Sequence, residues 1–309
     1  MTKNTGLRYE FSKNRALFFM AAPAMLLVLV LAYIPLAGFI LAFKNYRFDL
    51  GIFGSHWHKP LYENFRYLFQ SGTGLLITRN TFLFNLLNLI TSQILAVIVA
   101  VFITELPGKY YKRFCQSIIF LPYFISWVIV GTFVFNIFNY ETGVLNSILK
   151  SIDANPVNLY SKPSVWPFII CAFNSWKWVG YGSIVYIASI TAIDAECFEA
   201  ADIDGANIFQ KIWQITFPFI RPTIIIVLLL NVGRILRGDF QMFYQIVGNN
   251  GQLFNATDVI DTYVFRSLIT NVNIGMTAAA TLYQSVLCFI IIITVNQIVK
   301  KIEADYSLF

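Results

Sequence analysis

Apolar residues in this chain run in blocks too long for the helices of a soluble domain. Residues 16–43 contain no acidic or basic side chain, and the same holds for 80–104, 114–140, 267–299 and, apart from Lys177, 163–193. A hydrocarbon layer about 30 Å thick is crossed by about 20 helical residues, because backbone groups there must bond within their own segment. Each block therefore predicts a membrane-spanning helix. A sixth is expected at 219–240, where the apolar run between Arg221 and Arg234 is short and the helix must carry Arg234 toward a polar interior or the far headgroups. The pattern predicts an all-α membrane protein, a six-helix transmembrane bundle, with a short N-terminal segment at 1–15 and one transmembrane domain over 16–309.

Composition sharpens the picture. Of 309 residues 57% are hydrophobic and 12% charged, where a soluble domain carries about a quarter charged residues. The net charge of +6 does not indicate nucleic acid, because the basic residues sit in small groups between apolar runs rather than along one stripe. The tight groups are Lys3 to Arg15, Lys109 with Lys112 and Arg113, Lys211 with Arg221, and Lys300 with Lys301. With six spans these fall on one side, so the positive-inside rule places both termini in the cytoplasm. The first block is too long for the apolar region of a signal peptide, about 7 to 15 residues, and is expected to remain as a helix. Cys115, Cys171, Cys197 and Cys288 form no CxxC pair and indicate neither a disulfide framework nor a zinc site. His56 and His58 bracket Trp57 in an external loop, but two imidazoles are too few for a metal, and none is expected.

The internal loop at 194–218 is the most informative stretch. Residues 194–222 read DAECFEAADIDGANIFQKIWQITFPFIRP, the pattern of two short helices joined by a turn. Phe198 and Ala201 share helical spacing, Gly205 is free to take positive φ, and Ile208, Ile212 and Ile215 restart an apolar face. Asp204 is expected to cap the second helix without a capping box from Asn207, and Pro218 and Pro222 mark the helix end or the first turn of the next span. The alternative is an amphipathic helix lying on headgroups, which the acidic first half disfavours.

With Glu199, Ala200, Ala201, Gly205, Ile215 and Pro218 in place, this loop resembles the EAA loop of permease subunits of type I ABC importers. WKWVGYGSIVYIASITAID before it, and GRILRGDFQMFY and DVIDTYVFRSL after it, look like the sugar-permease branch that serves oligosaccharides and complex glycans. The resemblance implies a cytoplasmic coupling helix in which Glu199, Ala200, Ala201, Asp202, Asp204, Gly205, Ala206, Ile215 and Pro218 face an ATPase. It also implies a second, different permease, two ATPase subunits holding ATP and magnesium, and an extracytoplasmic binding protein delivering a carbohydrate. The chain itself has no GxxxxGK[ST] phosphate cradle, so it is expected to bind no cofactor and to catalyse nothing.

A sugar path needs hydroxyl partners and aromatic faces inside the bundle. Asn85, Asn88, Ser92 and Gln93 offer them on one span, Asn174, Trp176, Lys177, Trp178 and Tyr181 on another, and Asn231, Arg234, Tyr283 and Gln284 on the last two. For each Asn or Gln the competing reading is a hydrogen bond between helices. For Lys177 and Arg234 it is snorkelling to the headgroups. If Lys177, Arg234 and Arg237 converge, an anionic glycan becomes the expected cargo through carboxylate pairing. An intramembrane enzyme is disfavoured because Asp202 and Asp204, two residues apart on a helix, diverge and cannot act on one substrate atom. A secondary carrier would call for an internal repeat, and none is visible.

Overall fold

The computed structural model describes residues 14–70 and 72–302, so most of the predicted N-terminal segment 1–15 and residues 303–309 lie outside the description. The first helix, α1, runs Arg15–Phe43. It is α-helical to Val28, widens to π over Leu29–Tyr33 and tightens to 3-10 over Ile34–Phe43. Pro35 accounts for the change, since it supplies no N–H to the preceding turn. Beyond it, β1 (Lys44–Asn45) pairs antiparallel with β2 (His56–Trp57) in a two-residue ribbon. The Lys44 ammonium pins this ribbon by donating to the carbonyls of Ile52 and Phe53 at 2.9 and 3.0 Å. His56 and Trp57 are both exposed on it, and no cluster of three metal-ligating side chains occurs among the described residues.

The remaining helices are α2 (Glu63–Gln70), α3 (Thr73–Glu105), α4 (Lys109–Phe120), α5 (Trp127–Phe138), α6 (Val144–Ser151) and α7 (Trp166–Thr191). They are followed by α8 (Ala195–Ile203), α9 (Ile208–Val232), α10 (Phe240–Val247), α11 (Ile260–Asn271) and α12 (Ile274–Ile302). α1, α3, α9 and α12 are each long and apolar enough to cross a membrane, and α4 and α5 form a fifth span bent by 92°. α7, of 26 residues, is the sixth, its apolar sequence interrupted by the buried Asn174, Ser175, Lys177 and Ser183.

Three boundaries depart from the sequence expectation. The span placed at 114–140 is a broken helix, because Pro122 and the 3-10 turn Leu121–Phe124 end α4 before Ser126 caps α5. The span placed at 219–240 begins at Ile208 and ends at Val232. Pro218 and Pro222 are absorbed into its first turns after a π segment at Ile212–Thr216, and Arg234 lies beyond its end. The span placed at 267–299 begins only at Ile274, since Val272 takes φ 49° and separates α11 from α12.

The bundle is organised around α3 and α7, which pack along their length. At one end Trp166, Phe84, Trp127 and Phe243 form a core joining α7, α3, α5 and α10. At the other, Ala96, Ala100, Tyr186, Ile190 and Ile220 join α3, α7 and α9, and Cys197 and Phe198 of α8 pack against them. Small residues let helices approach closely, as dispersion rather than water exclusion drives their association in lipid. Gly180 brings α7 against α4, where an added Cβ would overlap the Ile119 carbonyl and lie 2.8 Å from the Phe120 Cα. Gly180→Val is therefore expected to cost about 1–3 kcal/mol through overpacking, lowering the melting temperature of the solubilised protein. Gly38→Ala, whose added carbon meets nothing within 4 Å, should leave it unchanged.

A capped loop and two broken spans as candidate functional sites

The segment 194–218 folds as the predicted helix, turn, helix, and hydrogen bonds specify both sides of its turn. Gly205 sits at φ +75°, and an added Cβ would meet nothing within 4 Å, so backbone conformation alone favours glycine there. The Gly205 and Ala206 N–H groups donate back to the carbonyls of Asp202 and Ala201 at 3.1 and 2.9 Å, the paired bonds of a Schellman cap. The next helix starts on Asn207 rather than Asp204. Asn207 Oδ1 accepts from the Gln210 N–H at 2.9 Å while Gln210 Oε1 accepts from the Asn207 N–H at 2.8 Å, a full capping box. The sequence expectation is thereby corrected: Asp204 ends α8, and the reciprocal pair begins three residues later. Lys211 Nζ closes the turn on Asp202 Oδ1 at 2.7 Å.

One face of this unit is anchored and the other is bare. Cys197, Phe198 and Ile215 pack into the core of α3, α7 and α9, whereas Glu199, Ala200, Asp202, Asp204, Gly205 and Pro218 are exposed and Ala201 and Ala206 half-buried. Ile203 is 87% exposed, Phe209 71% and Trp213 66%. That is too much apolar surface for a face meant for water alone.

The break in the third span is held by Lys177. Its ammonium donates to the carbonyls of Pro122 and Tyr123 at 3.3 and 3.0 Å and also to that of Ile125. The Tyr123 and Ile125 carbonyls lie past the last turn of α4, while that of Pro122 also accepts the Ile125 N–H at 3.1 Å. Lys177 is buried and lies 5.3 Å from the Trp127 ring centre, and the Trp127 Nε1 donates to Asp239 Oδ2 at 2.8 Å. Snorkelling is thus not what this lysine does. Beside it Tyr123 and Tyr181 stack at 4.5 Å and 11°, flanked by Phe120 and Trp178. Tyr181 is half exposed, so the stack presents a flat aromatic face.

The second break lies between α9 and α10, at 233–239. Here Asn85 Nδ2 donates to the Ile235 and Arg237 carbonyls at 2.9 and 3.2 Å, and Gln284 Nε2 to that of Leu236 at 2.6 Å. Asp261 Oδ2 accepts the Gly238 N–H at 2.7 Å. Burial pushes the Asp261 carboxyl up, against the opposing pull of the Gly238 and Gln284 hydrogen bonds and the Arg237 charge. Three side chains from three helices thus satisfy an irregular segment of backbone, and its two arginines, Arg234 and Arg237, remain exposed. Lys177, turned onto its carbonyls, does not join them as a third open cation.

The other predicted path residues divide. Asn174, buried, donates to Ser92 at 3.3 Å, and Gln284 serves the break, so both bond between elements. Asn231 donates to its own helix at Val227. Tyr283 packs on Phe69 and reaches Thr78 at 3.4 Å. Trp176 lines a lateral apolar pocket between α3 and α7. Trp127, Asp239 and Asp261 are absent from the sequence expectation; Asp239, bordering a break that holds Gly233 and Gly238, had a local signal, whereas Asp261, in α11, had none.

Similarity to known proteins agrees with this architecture. LplB of Bacillus subtilis is 31% identical over 99% of this chain and 95% of its own length. The polygalacturonan/rhamnogalacturonan transport system permease YteP, of the same organism, is 27% identical over 97% and 92%. A chain of the crystal structure of a bacterial alginate ABC transporter, in complex with alginate pentasaccharide-bound periplasmic protein, superposes with a TM-score of 0.84 at 31% identity, covering 96% of this chain and 98% of that one. Residues 92–304 match the inner membrane component of binding-protein-dependent transport systems. By that match and by its bundle of broken and continuous spans, this chain belongs to the family of binding-protein-dependent transport system inner membrane components, the permeases of ABC importers.

Proposed function

We propose that this chain is one of two different permeases of an importer for acidic oligosaccharides, with both termini and the 194–218 loop in the cytoplasm. The observation that carries the cargo class is the exposed arginine pair on the clamped 233–239 segment, in a chain resembling the alginate transporter over nearly its whole length. Guanidinium groups recognise carboxylates through paired, charge-assisted hydrogen bonds. In this reading Arg234 and Arg237 take uronate carboxylates, while the Tyr123–Tyr181 stack offers an aromatic face to sugar C–H groups. Trp176, Asn231 and Tyr283 complete the path candidates. The orientation is supported by the basic residues at 109–113 and at 211 and 221, which flank the same end of the bundle as the loop.

Energy enters through the capped loop. Two ATPase subunits, binding ATP and magnesium, press on α8 through Glu199, Ala200, Ala201, Asp202, Asp204, Gly205 and Ala206. Ile215 and Pro218 connect that push to α9. Because Phe198 and Cys197 are bound into the core at the junction of α3, α7 and α9, a displacement of α8 moves three spans together. ATP binding then selects between inward- and outward-facing states by its differential affinity for them.

Two experiments on the reconstituted complex test this. Arg234→Gln is expected to raise the half-saturating concentration of trigalacturonate about tenfold, ~1.4 kcal/mol, and that of a neutral trisaccharide less than twofold. Equal handling of both glycans by wild type and variant rejects acidic cargo. Gly205→Val puts a β-branched residue at positive φ, at a cost of about 1–2 kcal/mol. Glycan uptake is expected to fall at least tenfold while the complex still assembles; full uptake by that variant rejects the coupling role.

A further inference from the structure

Beyond the second break, α10, the one-turn helix Phe254–Thr257 and α11 enclose a cavity of about 120 Å³. It lies at the end of the bundle opposite the capped loop. The Ile260 N–H donates to Thr81 Oγ1 at 2.9 Å, near the start of α3, and the loop packs near Ala100 on the same helix, about 30 Å away at about 1.5 Å rise per residue.

Its walls are Phe243 and Tyr244 from α10, Phe254, and Phe265, Arg266 and Ile269 from α11. Asp258, 5% exposed, holds Arg266 in place. Nη1 donates to Oδ1 at 3.3 Å and Nη2 to Oδ2, while Thr262 donates to Oδ1 at 2.7 Å. Phe254 lies against the guanidinium, 4.0 Å from its carbon to the ring centre. The charges cancel and the arginine cannot turn away, yet a guanidinium has five N–H donors and Asp258 uses only part of them. A fixed donor edge between aromatic walls suits a ligand with apolar faces and acceptor oxygens on its rim.

Size narrows the ligand. An engineered apolar cavity of about 150 Å³ in another protein takes benzene, so this space is of the order of a single six-membered ring. We propose that the cavity is a vestibule subsite that seats one pyranose unit of the glycan, its oxygens on Arg266 and its C–H face on the aromatic wall. This rests on the glycan-import reading above.

The test is direct binding of trigalacturonate to the complete transporter in nanodiscs without binding protein, followed by saturation-transfer NMR, with transport measured in parallel. Ile269, 64% exposed at the rim, is replaced so as to fill the space without touching the ion pair. Ile269→Trp is expected to raise the dissociation constant at least tenfold while glycan-free ATP hydrolysis is unchanged, and Thr270→Tyr, on the same rim, is expected to do the same. A dissociation constant within twofold of wild type in both variants overturns the subsite, as does absent binding to a wild-type complex that still transports the glycan. A wild type that neither binds nor transports trigalacturonate or a neutral trisaccharide overturns the import reading as well.

Discussion

A carbonyl released from its helix inside a bilayer has no water to accept from, and leaving it unpaired costs several kcal/mol. The structure depends on meeting that constraint twice. Where the third span breaks, one lysine amine reaches three carbonyls. Where the fifth ends, two side-chain amides and a carboxylate serve the irregular backbone. Lys177, Asn85 and Gln284, which look from sequence like path residues, are first of all the partners that make those breaks possible. Both breaks then present side chains that a continuous helix would distribute around its circumference: stacked tyrosines at one, two arginines at the other.

The bundle was legible because span length follows from bilayer thickness and rise per residue, and charge-free blocks report it directly. The breaks were less legible. The third span reads as continuous over 114–140, yet it breaks at Pro122, and the carbonyls around the break are held by Lys177, 55 residues away. The start of the fifth span was displaced because Pro218 and Pro222 read as boundaries, whereas a preceding π segment carries the helix through them. Val272 at positive φ had no signal in its residue type, since a β-branched side chain is the least expected there. In the loop, Gly205 identified the turn correctly. The competition between Asp204 and Asn207 for the helix start was decided by Gln210, which reciprocates the Asn207 bond.

The loop shows how local and tertiary preferences reinforce one another. Its turn is specified by two caps and an ion pair, none of which needs the rest of the bundle, while its buried face is shared by three spans. The Lys211–Asp202 pair adds little by itself, since Asp202 is 61% exposed there and surface pairs contribute less than about 1 kcal/mol. The caps and the apolar anchor are what make the unit stiff enough to transmit force.

One close approach ties distant parts of the chain together. Gly131 sets α5 so near α10 that an added carbon would overlap the Gln245 carbonyl oxygen and lie 2.9 Å from its carbon, and Trp127 bonds across the same pair to Asp239. Helices separated by a hundred residues are thus welded into a single block. Tilting α5 drags the segment bearing both arginines with it, so the aromatic platform beside its start and the cationic patch are geared to shift in step rather than one after the other.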